Sequence, residues 1–252
     1  MDKERFAQVC REYADSPAQK KGIGTLSEKT LHAVLKRYYD PFEQNHEIRI
    51  GSHVADIVGE SGIIEIQTRA FDRLRGKLTQ FLSVAPVTVV YPVAGVKWLS
   101  WMDPETGEIV SRRKSPRRGT AHDVFYELYK IKQFTTDPHL TLVIPILELE
   151  EIRYLNGWSR DKKRGSSRCE RVPIALMEEI VLQKPSDYLA LVPFSAADAF
   201  TTQDYAKACG ISRNTAGTEL HILHYLGALE RVGKKGNFHL YRVADGSDAC
   251  AE

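Results

Sequence analysis

Apolar residues in the first part of this chain recur at two different spacings, and the switches between them mark out its elements. Leu31, Val34, Leu35 and Tyr38 stand at i, i+3, i+4 and i+7, which predicts one buried face of a helix from about Ser27 to Tyr39, stopped by Pro41. Apolar and polar residues then alternate over about 47–58 and 62–68, the period of half-buried strands, and Gly59-Glu60-Ser61-Gly62 between them predicts a tight hairpin. Helical spacing returns at Phe71, Leu74, Leu78 and Phe81. Val87 to Tyr91 is a short β-branched run of the kind that forms a buried strand. Lys97 to Trp101 and Glu108 to Arg113 flank the turn Pro104-Glu105-Thr106-Gly107 as a second hairpin, followed by a helical period over Ala121 to Phe134 and an apolar strand over Leu140 to Leu149. The order αββαβ then ββαβ predicts an α/β (α+β) mixed sheet with helices packed on it.

The polar stretch Trp158 to Arg171, with Gly165-Ser166-Ser167 inside it, separates this block from a second of different period. It predicts a basic linker over 159–171 between domains at 1–158 and 172–252. The second block reads as helices over Ile174 to Gln183, Ser186 to Leu191, Thr202 to Cys209 and Ser212 to Leu226. A hairpin of Leu229 to Val232 and Phe238 to Val243 around Gly233-Lys234-Lys235-Gly236 completes it.

Composition narrows the class. At ~150 residues per domain, 252 residues make one or two domains. With 42% apolar and 27% charged residues, 17 Gly and 11 Pro, collagenous, low-complexity and wholly disordered chains are excluded. No apolar run approaches the ~18 residues that span a bilayer. The start Met1-Asp2-Lys3-Glu4-Arg5 is charged where a signal peptide would turn apolar, so the expectation is a cytoplasmic protein without a membrane partner. Cys10, Cys169, Cys209 and Cys250 lie far apart with no C-x-x-C pair, and reduced thiols are expected. The 35 basic and 33 acidic residues leave a net charge of only +2, so no global field draws in nucleic acid. The basic residues are clustered, however. Ser111 to Arg118 carries five positive charges and no negative one; Arg160-Asp161-Lys162-Lys163-Arg164 with Arg168 and Arg171 is a second cluster, and Lys234-Lys235 a third. Any one run is what a solvated loop looks like, but three in separate segments call for a shared reason.

The chemistry concentrates in the hairpin Val54 to Gln67. If it folds symmetrically about the 60/61 bond, partners have numbers summing to 121, which sets Asp56 opposite Glu65 and Val54 opposite Gln67. Glu65 and Gln67 share one face, and Ile64 and Ile66 point the other way, into the covered side of the sheet. Opposed residues have Cβ atoms ~5 Å apart, and two carboxylates so placed repel unless a cation lies between them. A divalent metal with oxygen ligands resolves this; acids facing water, or one proton shared by the pair, are the alternatives. Thr25 and Glu28 fit a capping box, while Glu28 also stands at the edge of the core-facing side of its helix, where an acid has reason to meet a metal. His32 and His53 lie near this hairpin in the expected fold and are not assigned to the site.

A helix bearing an acid, then Asp56, a turn and Glu65-Ile66-Gln67, within αββαβ, resembles the PD-(D/E)xK nuclease superfamily over about residues 20–95. The resemblance implies a restriction-endonuclease-like fold in which Asp56 and Glu65 bind Mg²⁺ or Mn²⁺, Gln67 orients or activates the attacking water, and Glu28 completes the metal shell or assists as base. Two positions depart from the pattern. Ala55 stands where Pro often precedes the Asp, and Gln67 stands where Lys is usual; an amide can hydrogen-bond a water but supplies no positive charge. Glu-x-Gln forms occur among relatives, including competence-type nuclease-like proteins.

The last 70 or so residues resemble a winged helix-turn-helix, with Phe200 to Cys209 as supporting helix and lead-in, Ser212 as N-cap of the next helix, and characteristic Gly210, Gly227, Gly233 and Gly236. Burial of Ala216, Leu220 and Leu223 would expose Arg213, Asn214, Thr215 and Thr218. The resemblance implies that these, with Ser212, meet DNA at the recognition helix, and that Lys234 and Lys235 of the wing meet phosphates. Arg160, Lys162, Lys163 and Arg164 just before it favour a polyanion. Together these readings predict a metal-dependent DNA endonuclease docked on duplex DNA by its winged helix. The alternatives are a DNA-binding regulator or adaptor whose nuclease fold has lost activity, or a pair of domains that bind a protein and pack. A homodimer would supply the two active sites that nicking or resolving often needs.

Overall fold

In the computed structural model, which describes residues 1–15, 30–156 and 167–244, Leu31, Val34, Leu35 and Tyr38 are all buried on one helix. This helix is α2 (Thr30–Tyr39). Ahead of it lies α1 (Lys3–Ala14), not expected from the sequence, which buries Phe6, Val9 and Tyr13 and is capped by Asp2, whose side chain accepts from Arg5 N at 2.9 Å. Glu28 and Thr25 lie outside the described residues.

The alternation over 47–58 is two strands, β1 (His46–Ile50) and β2 (His53–Gly59), because Gly51-Ser52 turns the chain between them. β2 then pairs with β3 (Gly62–Ile66) in the expected register, Ile57 with Ile64, Val58 with Ile63 and Gly59 with Gly62. Gly62 has φ +113°, and a Cβ there would lie 2.3 Å from the Pro86 carbonyl oxygen, so a side chain would force the turn apart.

β3 runs parallel to β4 (Val87–Val90), which runs parallel to the start of β7 (Leu140–Tyr154). β5 (Val93–Met102) runs parallel to the rest of β7 and forms the expected hairpin with β6 (Ile109–Lys114). β8 (Ser167–Leu182) pairs with β7 from Leu142 to Tyr154. β4 and β5 therefore follow one another along one edge of β7, and β8 takes the other. Since β3 borders β4 and β6 borders β5, the eight-stranded sheet is split where β3 ends and the chain leaving β6 arrives.

Both faces of this sheet are covered. α1 and α2 pack over Ile57, Ile66, Val90 and Leu176. On the opposite face lie Phe71 and Leu74, then Leu78 and Phe81 of α3 (Arg75–Phe81), with Val124, Phe125, Leu128 and Ile131 from short helical turns over 121–134. The hairpin acids thus do not sit on an open face: Glu65 is 0% exposed.

The stretch expected as a helix at Ile174 to Gln183 is the second half of β8, and the boundary expected at 172 falls inside that strand. Three register shifts explain the misreading. Where Leu147 faces Leu176 and Ile146 faces Glu178, Met177 is an extra residue, and Ile174 and Cys169 are extra at the other two. Each bulge shifts the two-residue alternation by one, so apolar residues fall at three-residue steps and imitate a helix face. Of the expected basic linker, Ser167 to Arg171 is strand; Arg160, Lys162, Lys163 and Arg164 lie outside the described residues.

The C-terminal part is a three-stranded antiparallel sheet, β9 (Phe200–Thr201), β10 (Leu229–Lys235) and β11 (Phe238–Val243), with α4 (Thr202–Cys209) and α5 (Arg213–Tyr225) between β9 and β10. Ser212 caps α5, its Oγ accepting from Thr215 N at 3.1 Å. Lys234 and Lys235 are not in the hairpin tip as expected. They continue β10, paired with His239 and Phe238, and the chain turns at Gly236-Asn237.

The two parts share one core, since Leu220, Ile222 and Leu223 of α5 belong to the same buried cluster as Phe125 and Leu128. Fully buried Glu219 of α5 lies 2.9 Å from His122 Nδ1 and accepts from the Tyr205 hydroxyl at 2.8 Å. Burial raises the Glu219 carboxyl, and His122 opposes that rise. His122→Ala is therefore expected to cost about 2 kcal/mol of stability. The loss should be smaller at pH 5 than at pH 8, because the carboxyl left without His122 folds most easily when protonated; urea melts at the two pH values measure it. Among the described residues no helix is long and apolar enough to cross a membrane.

Candidate active site

β2 and β3 pair from the turn down to Ile57 and Ile64, and then part. The two acids occupy the point of parting and exchange backbone contacts. Asp56 Oδ2 accepts from Ile66 N at 2.8 Å, and Glu65 Oε1 accepts from Asp56 N at 3.3 Å. Beyond them the other edge of the chain stays in the sheet, Gln67 N donating to Val90 O at 2.8 Å. Both carboxylates lie where the strands separate, Glu65 fully buried.

Two further side chains reach the pair. Lys77 on α3 donates to Glu65 Oε2 at 2.8 Å and to Oε1 at 3.0 Å. His32 on α2 places Nε2 3.2 Å from Asp56 Oδ2. Burial and the neighbouring Asp56 push the Glu65 carboxyl up to about 7, against the pull of Lys77. Burial works the same way on Asp56, but His32, the Ile66 amide and Lys77 outweigh it and hold that carboxyl below its usual range. One pair therefore holds two acids of opposite tendency.

Gln67 lines a cavity of about 460 Å³ together with His32, Arg69, Arg168 and Arg171. Asp56 and Glu65 lie side by side where the strands part, while Gln67 lines the cavity, which neither acid lines. His32, not assigned to the site from sequence, joins them, whereas His53 packs edge-on against Phe81 instead. Sequence reasoning misses Lys77. The signal for it is a cation beside the buried stripe Leu74, Leu78 and Phe81, on the first helix after the strand that carries Glu65.

Among the described residues no cluster of three or more His, Cys, Asp or Glu is arranged to hold a metal ion. The donor set nevertheless suits a hard divalent cation in kind, with two carboxylates on adjoining strands. Asp56 Oδ1 accepts no hydrogen bond among the described residues. Burial first, and then the neighbouring Asp56, raise the Glu65 carboxyl.

The expected DNA-contacting residues of the C-terminal part are spread over one end of it. Arg213 and Asn214 are exposed, with Arg213 donating to Gln203 Oε1 at 3.2 Å and lying 5.6 Å from the Phe238 ring. Thr215 and Thr218 are half-buried, and Thr218 Oγ1 donates back to Asn214 O at 3.1 Å. Lys234 and Lys235 are exposed.

Residues 29–183 match the family described as "Domain of unknown function (DUF8091)". The chain belongs to that family. The DUF8091 segment starts one residue before α2 and ends one residue after β8, so it contains the large sheet, Asp56, Glu65, Lys77 and the cavity, and leaves α4, α5 and their sheet outside. An uncharacterized protein of Treponema pallidum (strain Nichols) is 27% identical over 237 residues, 87% of each chain, so the likeness runs past the DUF8091 segment. No solved structure matches the chain.

Proposed function

We propose that this protein is a metal-dependent DNA endonuclease with a PD-(D/E)xK-type catalytic domain and a C-terminal winged helix-turn-helix that docks it on duplex DNA. The observation that carries the reading is the convergence of Asp56, Glu65 and Lys77 where β2 and β3 part. Asp56 and Glu65 would hold Mg²⁺ or Mn²⁺, which when bound supplies Lewis acidity at the phosphate and an acidified water. Lys77 provides the positive charge that Gln67 lacks, at the same carboxylate, from a different element. Gln67 and His32 face the cavity and can hydrogen-bond a water or a phosphate oxygen there. Arg213 and Asn214, exposed at the start of α5, are placed as such helices place base-reading residues, and Lys234 and Lys235 as phosphate contacts.

One observation favours a second reading, that of a DNA-binding protein without cleavage. Lys77 takes both Glu65 oxygens, as in a purely structural ion pair. Supercoiled plasmid incubated with Mn²⁺, beside a duplex-binding assay in EDTA, separates the two. Nicking or linearisation by the native protein, lost in Asp56→Asn while binding persists, supports the nuclease. Binding without cleavage by the native protein supports the second reading.

The docking role has its own measure. Arg213→Ala with Lys234→Ala and Lys235→Ala should weaken duplex binding and flatten its salt dependence, by roughly 0.9 in the log–log slope for each phosphate that is no longer neutralised. An unchanged slope would assign α5 and the β10–β11 hairpin to packing or to a protein partner.

A further inference from the structure

The split in the sheet between the end of β3 and the chain leaving β6 encloses a second cavity, of about 290 Å³, which shares Thr68, Arg168 and Arg171 with the cavity at Gln67. Its lining carries five cations, Lys97, Arg117, Arg153, Arg168 and Arg171. Two carboxylates, Glu151 and Asp123, face them, leaving a formal surplus of three positive charges. Such a density of like charge in a small concave space repels itself unless an anion is taken up.

The arginines are not loose surface side chains. Glu151, 1% exposed, accepts from Arg153 and lies 3.5 Å from Arg168 Nε and 3.6 Å from Arg171 Nε. One buried carboxylate thus lies within 4 Å of three guanidinium groups from β7 and β8, and it can neutralise only one of them. Arg171 Nε is buried with no hydrogen-bond partner among the described residues. Burial pulls the Lys97 ammonium down, with Arg171, Arg153 and Arg117 pushing the same way against Glu151. The wall opposite is the loop after β6, which lies directly on β5. Gly119 N donates to Ala94 O at 2.8 Å, and a Cβ at Gly119 would sit 2.9 Å from that oxygen, so the close approach depends on glycine. Arg117 is exposed two residues earlier, at the rim.

We propose that this cavity is a subsite for a phosphate monoester, the terminal phosphate of a nucleic-acid strand whose chain passes Gln67. The inference rests on the nuclease reading for its substrate and on the cavity alone for its charge. A monoester carries about −1.5 to −2 at neutral pH, against −1 for an internal diester, and suits a surplus of three. Fixed guanidinium forks pair with phosphate oxygens two at a time. The space holds one terminal phosphate and its sugar but not a duplex, whose major groove alone is about 12 Å wide.

The test is equilibrium binding of the full-length protein, in EDTA, to one single-stranded oligonucleotide bearing a 5′-phosphate, a 3′-phosphate or neither. A terminally phosphorylated strand should bind at least tenfold tighter than the unphosphorylated one, and Arg117→Ala and Lys97→Met should each remove most of that preference. Arg117 is exposed, so its variant reports on binding even if Lys97→Met folds poorly. Equal binding of all three strands overturns the proposal. So does a preference that survives in both variants. Inorganic phosphate or a nucleoside monophosphate bound without any preference among the strands also overturns it, and assigns the cavity to a free phosphate ester. Plasmid cleavage with Mn²⁺ but no end preference leaves the nuclease standing without this subsite. End preference without cleavage leaves the subsite standing without the nuclease.

Discussion

Lys77→Met is expected to lower Mn²⁺-dependent cleavage by about 10²–10³-fold, the usual cost of deleting one fixed charge or donor aimed at developing negative charge. Lys77 lies on α3, in contact with both Glu65 oxygens, and is 24% exposed at its side chain. Its ammonium pairs with Glu65, so methionine, of similar length, should leave the packing of Leu74, Leu78 and Phe81 in place. Duplex binding in EDTA and the far-ultraviolet circular dichroism spectrum should match those of the native protein. If Lys77→Met cuts as fast as the native chain, the lysine serves only to balance Glu65, and Gln67 must orient the water without help from a cation.

The acid pair should also make stability fall as pH rises. Burial and Asp56 raise the Glu65 carboxyl from 4.5 to about 7, so between those values the folded chain binds more protons than the unfolded one. The contribution of Glu65 is therefore fully present below about pH 4.5 and is lost by about pH 7. Asp56 is shifted downward, so its own contribution is present above its ordinary range and lost only in stronger acid. The window from 4.5 to 7 accordingly belongs to Glu65. Glu65→Gln should flatten the native decline there, raise the neutral melting temperature by an amount corresponding to roughly 3 kcal/mol, and abolish cleavage. Mn²⁺ should stabilise the native chain more at pH 8 than at pH 5, because metal and proton compete for the same oxygens. A native melting temperature independent of pH over this range would show that Glu65 is not raised, and Mn²⁺ that leaves the melting temperature unchanged at pH 8 would remove the acid pair from any metal-binding role.

The register of the hairpin is legible in the sequence because two glycines bracket a two-residue turn between strands of strict alternation, so only one pairing buries both sets of isoleucines. α2 and α3 are legible from their apolar stripes. β8 is not. Its bulges at Ile174 and Met177 break the alternation that identifies a strand, and the glycines and serines before it resemble a linker. α1 goes unpredicted although Asp2, Phe6, Val9 and Tyr13 mark a cap and a face. Lys77 and His32 are hidden for a different reason. They meet Asp56 and Glu65 only because α2 and α3 pack on opposite faces of the sheet, and no spacing in sequence encodes that meeting. Arg168 and Arg171 stand out as a basic cluster, but their placement depends on Glu151, 17 and 20 residues earlier in the sequence, which only strand pairing brings near them.

The burial of α5 in the same cluster as Phe125 and Leu128 has a geometric consequence. Enzymes that carry their DNA reader on a tether cut over a range of distances from the sequence they read. On the proposed function, the part that would read DNA shares one core with the sheet that would cut it, through Glu219, His122 and packed side chains. A nuclease so built would cut at a fixed number of base pairs from the recognised ones, measured out by the protein itself as by a rigid gauge.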